Sequence, residues 1–159
     1  MAMLAVLSGL AIPPAAAAGT PVQVSTNIFG QLVGYQLPQG FVPAFENASD
    51  RSYIQESVLQ GETVDVWSQM ITLTSEKGLA ADPSRTPVWL ANVFGEGYRK
   101  NCPDTYLATA IQETRVENRD AFVAYFGCGT VSSAPKARSE VVTVIFIKAG
   151  DDFLTLQWA

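Results

Sequence analysis

Of the side chains that carry chemistry in enzymes, histidine is missing from this sequence altogether. Its absence removes the group most used for proton transfer near neutral pH and the commonest metal ligand. Ser-His-Asp and Cys-His activation of a nucleophile are thereby excluded, as is every His-ligated zinc or iron site. The two cysteines, Cys102 and Cys128, are too few for a closed four-thiolate zinc site. They suit a disulfide. Their number is even, and Gly127 and Gly129 leave room for a close approach to Cys128. The carboxyl end of the helix expected before Cys102 disfavours a reactive thiolate. By loop entropy such a bridge contributes about 3 kcal/mol.

Carboxylates remain as candidates for acid-base work. Any two of Glu46, Asp50, Glu56, Glu62 and Asp65 can converge in the manner of a glycoside hydrolase. A working pair would lie about 5 to 10 Å apart, with one acid in an apolar setting that raises its pKa. Fifteen acids make candidate pairs cheap, and exposure on strands is their default. Gly150-Asp151-Asp152 is similar in letters to the hairpin of polymerase palm domains. The chain is too short and too acidic for that, and a solvated turn suffices. Ser133-Ala134-Pro135-Lys136 satisfies S-x-x-K but lacks the accompanying S-D-N and K-T-G. Asn47-Ala48-Ser49 fits the glycosylation pattern and equally a plain loop. No Walker loop, dinucleotide fingerprint, EF-hand or C-x-x-C occurs, so no cofactor or metal is expected. Trp67, Trp89, Phe94 and Tyr98 form a candidate ligand pocket between helix and sheet, although core is the plainer use of such residues.

The elements that must position these residues read as one α+β domain: an antiparallel sheet of about six strands on one main helix. Thr86 can cap the helix, Pro87 suits its first position, and Cys102-Pro103 stops it. Leu90, Val93, Phe94 and Gly97 make its buried face, with Trp89 and Tyr98 at the margins. Gly95 and Gly97 imply that another backbone packs closely there. Strands are expected at Gln31 to Leu37 (after an extended arm), Phe41 to Glu46, Ser52 to Leu59, Met70 to Thr74, Thr105 to Gln112, Ala121 to Cys128, Glu140 to Lys148 and Phe153 to Trp158. A helical turn competes with strand at Thr63.

Residues 1 to 18 read as a cleaved signal peptide: an apolar run from Met3 to Ile12, then Ala16 and Ala18 placed for A-x-A cleavage. A basic leading region is missing, since the first charged residue is Glu46. The apolar run is well short of the ~20 residues that cross a bilayer. Residues 19 to 159 then form the mature domain, periplasmic or secreted, with no stable membrane insertion after cleavage. The net charge of -5 opposes attraction to nucleic acid or to an anionic membrane surface.

Glu56, Gly61-Glu62-Thr63 and the W-x-x-M-I-T run from Trp67 to Thr72, followed by Cys102, Cys128, an E-V pair and Gly-Asp-Asp, resemble small exported proteobacterial proteins of unknown function. The order of elements also resembles the PsbP/DcrB-like fold. That resemblance implies an antiparallel sheet with helices against it and a mostly non-catalytic accessory or assembly role. The expectation is therefore a binding or accessory protein of the cell envelope, acting on an envelope protein or a small ligand of unknown identity. A carboxylate-dependent hydrolase and a carrier of small apolar ligands are the alternatives.

Overall fold

A computed structural model describes residues 20–130 and 139–159. The signal-peptide and S-x-x-K readings fall outside the described residues. From Thr20 to Leu37 the chain is uncharged and β-branched, broken by Phe29-Gly30, both at positive φ. Asn27 Oδ1 accepts the Gly30 N–H at 2.9 Å and closes that turn. The expected arm is thus a strand: β1 (Val22–Ile28) pairs antiparallel with β2 (Gln31–Leu37) in a separate hairpin.

Seven strands make the main sheet: β3 (Phe41–Ala48), β4 (Ser52–Leu59), β5 (Met70–Glu76), β6 (Tyr106–Val116), β7 (Arg119–Cys128), β8 (Glu140–Ala149) and β9 (Asp152–Trp158). Their order across it is β3-β4-β5-β9-β8-β7-β6, and every pairing is antiparallel. The sheet therefore has one strand more than expected, with the hairpin besides. The charged turn expected between β6 and β7 shrinks to Glu117-Asn118, both at positive φ, because Arg115–Asp120 and Arg119–Glu117 pairs let charged residues finish the strands. At Thr63 the helical turn is replaced by a tight bend closed by the Thr63–Val66 bridge.

The helix α1 (Pro87–Asn101) has the expected ends: Thr86 Oγ1 accepts the Trp89 N–H at 3.1 Å, and the Cys102 N–H donates to the Tyr98 carbonyl. Its buried stripe is rotated from the one predicted. Ala91 and Gly95 are buried with Phe94 and Tyr98 beside them, whereas Val93 is 49% exposed and Gly97 is exposed. Gly95 decides this orientation, since a Cβ there would stand 2.8 Å from the Tyr106 hydroxyl and 2.9 Å from the Phe126 ring. Nothing crowds Gly97. The Cys102–Cys128 disulfide joins the end of α1 to β7, with Cα atoms 5.8 Å apart.

The helix and the hairpin sit on opposite sides of the sheet. On one side α1 covers Phe122, Ala124, Phe126, Val142, Val144 and Phe146 of β7 and β8. On the other, the hairpin covers Tyr53, Ile71, Leu73, Leu154 and Leu156 of β4, β5 and β9. Each cover spans about half the sheet, and each side keeps a bare half.

Candidate functional site

Successive side chains of a strand point to opposite sides, so pairing register shows how chemistry changes along a row of the sheet. On the helix side one row runs Ala124, Val144, Gln157, Thr72, Glu56. The next runs Phe122, Phe146, Thr155, Thr74, Ile54. Both rows are apolar beneath α1 and turn polar where the helix no longer covers them. On the hairpin side the row Leu73, Leu156, Ile145, Val123 stays apolar after its cover ends. Ile145, Ile147, Val123 and Tyr125 are half-buried there, while Val141 and Leu107 are 46% and 55% exposed.

Where this bare apolar half meets the hairpin, a cleft of about 520 Å³ opens. Its floor includes Leu73, Ile145, Ile147, Leu154 and Leu156; Leu32, Val33 and Tyr35 wall one side, and Glu117 and Arg119 stand at the end. Leu32, on the wall, is 79% exposed. Two tyrosines seat the hairpin. Tyr35 donates to Gln55 Oε1; the Tyr53 hydroxyl donates to Glu46 at 3.0 Å and meets Thr26 Oγ1 at 3.1 Å. Burial pushes both phenols above their ordinary pKa, so they remain neutral donors at physiological pH.

The bare polar half carries a second cleft, of about 320 Å³, lined by Trp67, Glu56, Met70, Thr72, Glu140 and Gln157 among others. Burial raises the Glu56 carboxyl above its ordinary pKa. Glu140 accepts a hydrogen bond from the Tyr98 hydroxyl at 2.6 Å.

The four aromatic residues singled out from the sequence do not share one pocket among the described residues. Phe94 packs on Tyr98, Phe126 and Phe146 with ring centroids 5.2 to 5.6 Å apart, inside the filled core beneath α1. Trp89 stacks on Phe153 at 6.5 Å, and the Arg85 guanidinium lies over its ring at 5.3 Å from the centroid. Trp67 lines the polar cleft, and Tyr98 reaches that cleft through Glu140. Of the acids considered for hydrolysis, Glu46 is engaged with Tyr53 on the hairpin side and Glu62 with Ser68 in its own loop, so Glu56 alone of the five lines the polar cleft. Asp152 of the Gly-Asp-Asp turn is a bracket, accepting from the Gly78 N–H at 2.7 Å and from Gln31 Nε2 at 3.3 Å. Sequence reasoning passed over Glu140, Gln157 and Thr72; the alternating threonines of β5 were the available signal, since polar alternates mark a strand side that keeps its water.

Among the described residues no group of three or more Cys, Asp or Glu could hold a metal ion, and no helix is long and apolar enough to cross a membrane.

Neither a protein-family model nor a curated protein matches the sequence. Solved structures do. The Ran-binding protein Mog1p of Saccharomyces cerevisiae superposes with a TM-score of 0.52 at 15% identity, over 87% of this chain and 77% of that one. A mutant of Mog1 gives 0.51 at 14% identity, over 86% and 76%. The cyanobacterial PsbP (CyanoP) of Synechocystis sp. PCC 6803 gives 0.52 at 10% identity, over 94% and 84%. The chain shares the fold of these proteins, an α+β arrangement with a PsbP-like likeness, and at such identities the likeness extends to fold alone.

Proposed function

We propose that this chain is an exported, non-catalytic binding or accessory protein of the bacterial cell envelope, acting through the bare apolar half of its sheet. One observation carries the reading: Leu107, Val123, Tyr125, Val141, Ile145 and Ile147 lie on one side of three adjacent strands with neither helix nor hairpin over them. Thr109 and Thr143 interrupt this side, and an uncovered surface otherwise so rich in apolar groups marks an interaction site. Export is supported by the signal-like residues 1 to 18 and by the disulfide, which suits an oxidising compartment. A binding role is also in keeping with the fold relative Mog1p, which is a Ran-binding protein. The partner is an apolar segment of another envelope protein, laid along the bare half and into the 520 Å³ cleft.

A photo-crosslinking amino acid in place of Val141, compared with one in place of Thr72 on the opposite side, tests this in the native compartment. The expected result is a discrete crosslinked partner from position 141 and none from 72; equal labelling at both would overturn the assignment. The mass of the isolated protein checks export: cleavage after Ala18 and the loss of two hydrogens are expected, and an uncleaved chain with free thiols contradicts it. The cleft also falls within the ~300–1,000 Å³ typical of small-molecule sites, which favours an apolar-ligand carrier as the second reading. Native mass spectrometry separates the two, because a carrier retains a small adduct that Ile147→Glu abolishes.

A further inference from the structure

The main sheet ends in two edge strands, β3 and β6, and they are guarded differently. β3 contains Pro43, a bulge between Pro43 and Phe45, and Glu46. These are ordinary devices that keep an edge from adding another strand. β6 has neither proline nor lysine, and no charge from Tyr106 to Gln112. Its bulge lies between Ala110 and Gln112, which leaves Tyr106 to Ala110 as a regular run, exposed from Leu107 onward. The pairing fixes which backbone groups of that run are open. The Gly129 N–H donates to the Thr105 carbonyl at 3.3 Å, so these opposed residues form a hydrogen-bonded pair. Such pairs alternate along an antiparallel ladder. Leu107 and Thr109 therefore bond to β7, whereas the backbone groups of Tyr106, Ala108 and Ala110 face outward, with no partner among the described residues.

We propose that β6 pairs with β6 of a second copy of this chain, antiparallel about a two-fold axis at Ala108. This register engages every outward residue of the run: Tyr106 opposes Ala110 of the second copy and Ala108 opposes its own counterpart, each pair exchanging two backbone hydrogen bonds. The side chains complement themselves in it. Tyr106 meets Ala110 and Leu107 meets Thr109, large against small, while Asp104 faces Gln112, so no like charges are opposed. The net charge of -5 makes copies repel at long range, and an edge without charges is where they can still meet. A charged partner finds no handle on this run, whereas a like strand matches it in size, charge and spacing of backbone groups. β6 is also the outer strand of the bare apolar half, so the pairing joins two such halves into one surface, about 29 Å across six strands. It rests on the backbone edge and stands whatever occupies the apolar half.

The test is sedimentation of the disulfide-bonded mature protein over about 5 to 500 µM, with amide exchange followed by NMR. A reversible dimer is expected, with Kd on the order of 100 µM because one strand pair is a small interface, and it should tighten as salt screens the net charge. Protection from exchange should rise with concentration at Tyr106, Ala108 and Ala110 and stay unchanged at Leu107 and Thr109. Ala108→Pro removes one outward N–H without touching the bonds to β7, and should be monomeric throughout, its amide spectrum reporting folding. Ala108→Lys and Ala108→Glu should each be monomeric alone, by repulsion across the axis, and should dimerise when mixed. A parent that stays monomeric over the whole range, protection that does not alternate, or charge variants that fail to rescue each other would each overturn the proposal. A dimer that survives Ala108→Pro and is lost in Ile147→Glu would overturn it too, by placing the contact on the apolar face.

Discussion

The two sides of the sheet solve the same problem differently. On the helix side the uncovered half is floored by Thr72, Thr74, Gln157 and Glu56, groups that hydrogen-bond to water without loss. On the hairpin side the uncovered half keeps Val123, Tyr125, Val141, Ile145 and Ile147, which water solvates poorly, with Thr109 and Thr143 among them. The two bare halves lie on different strands, the polar one on β4, β5 and β9 and the apolar one on β6, β7 and β8. The proposed binding role rests on this contrast, an apolar face left bare on one side where the other side is polar. That is the pattern expected of a surface kept for a partner. The covers differ too. The helix is tied by Cys102–Cys128, whereas the hairpin is seated by the Tyr35–Gln55 and Thr26–Tyr53 hydrogen bonds.

The largest effect should come from the staple. Cys102→Ser with Cys128→Ser opens a loop spanning 26 residues and is expected to lower stability by about 3.5 kcal/mol in urea unfolding. Hydrogen exchange should then show α1 losing protection before β1 and β2; simultaneous loss would mean that the two covers are not independent. A smaller effect should separate two glycines. Gly95→Ala pushes a methyl against Phe126 and Tyr106 and should cost about 1–3 kcal/mol. Gly127→Ala, on the bare apolar side, meets Leu107 at an ordinary 3.6 Å and should be neutral or stabilising by up to about 1 kcal/mol. Equal thermal melts for the two variants would remove the claimed difference in packing between the sides.

Much of this was legible in the residues. Thr86-Pro87 and Cys102-Pro103 bracket the helix, because capping and proline chemistry are local. The paired cysteines followed from their even count and the glycines flanking Cys128, and the strands from Met70 onward from β-branched alternation. What escaped depends on distance along the chain. The helix stripe was expected on Leu90, Val93, Phe94 and Gly97, of which Leu90 and Phe94 do pack on the core; the close approach at Gly95 that turns Val93 to solvent is a property of Phe126 and Tyr106. The placement of β9 between β5 and β8 is set by pairing and not by either sequence alone. The polar cleft was half visible: Trp67 and Glu56 were both singled out, for different reasons. Glu140, arriving from a strand more than seventy residues away in sequence, supplies the other end.

The smallest effect bears on the polar half, where Glu56 and Glu62 should respond oppositely to pH. Burial raises Glu56 above its ordinary 4.5, so the fold prefers its neutral form. Its contribution to stability is complete below the unfolded pKa and is lost as pH rises through the folded one. Glu56→Gln, permanently neutral, should therefore melt higher than the parent at pH 7, by less than about 1 kcal/mol after screening by solvent, with the gap closing towards pH 4. Hydrogen bonds from the Ser68 hydroxyl and N–H hold Glu62 below 4.5 instead. Its contribution is present above the unfolded pKa and lost as pH falls through the folded one, so Glu62→Gln should melt lower at pH 7 and match the parent in acid. Equal melts of Glu56→Gln, Glu62→Gln and the parent at pH 7 would reduce both carboxylates to ordinary surface residues.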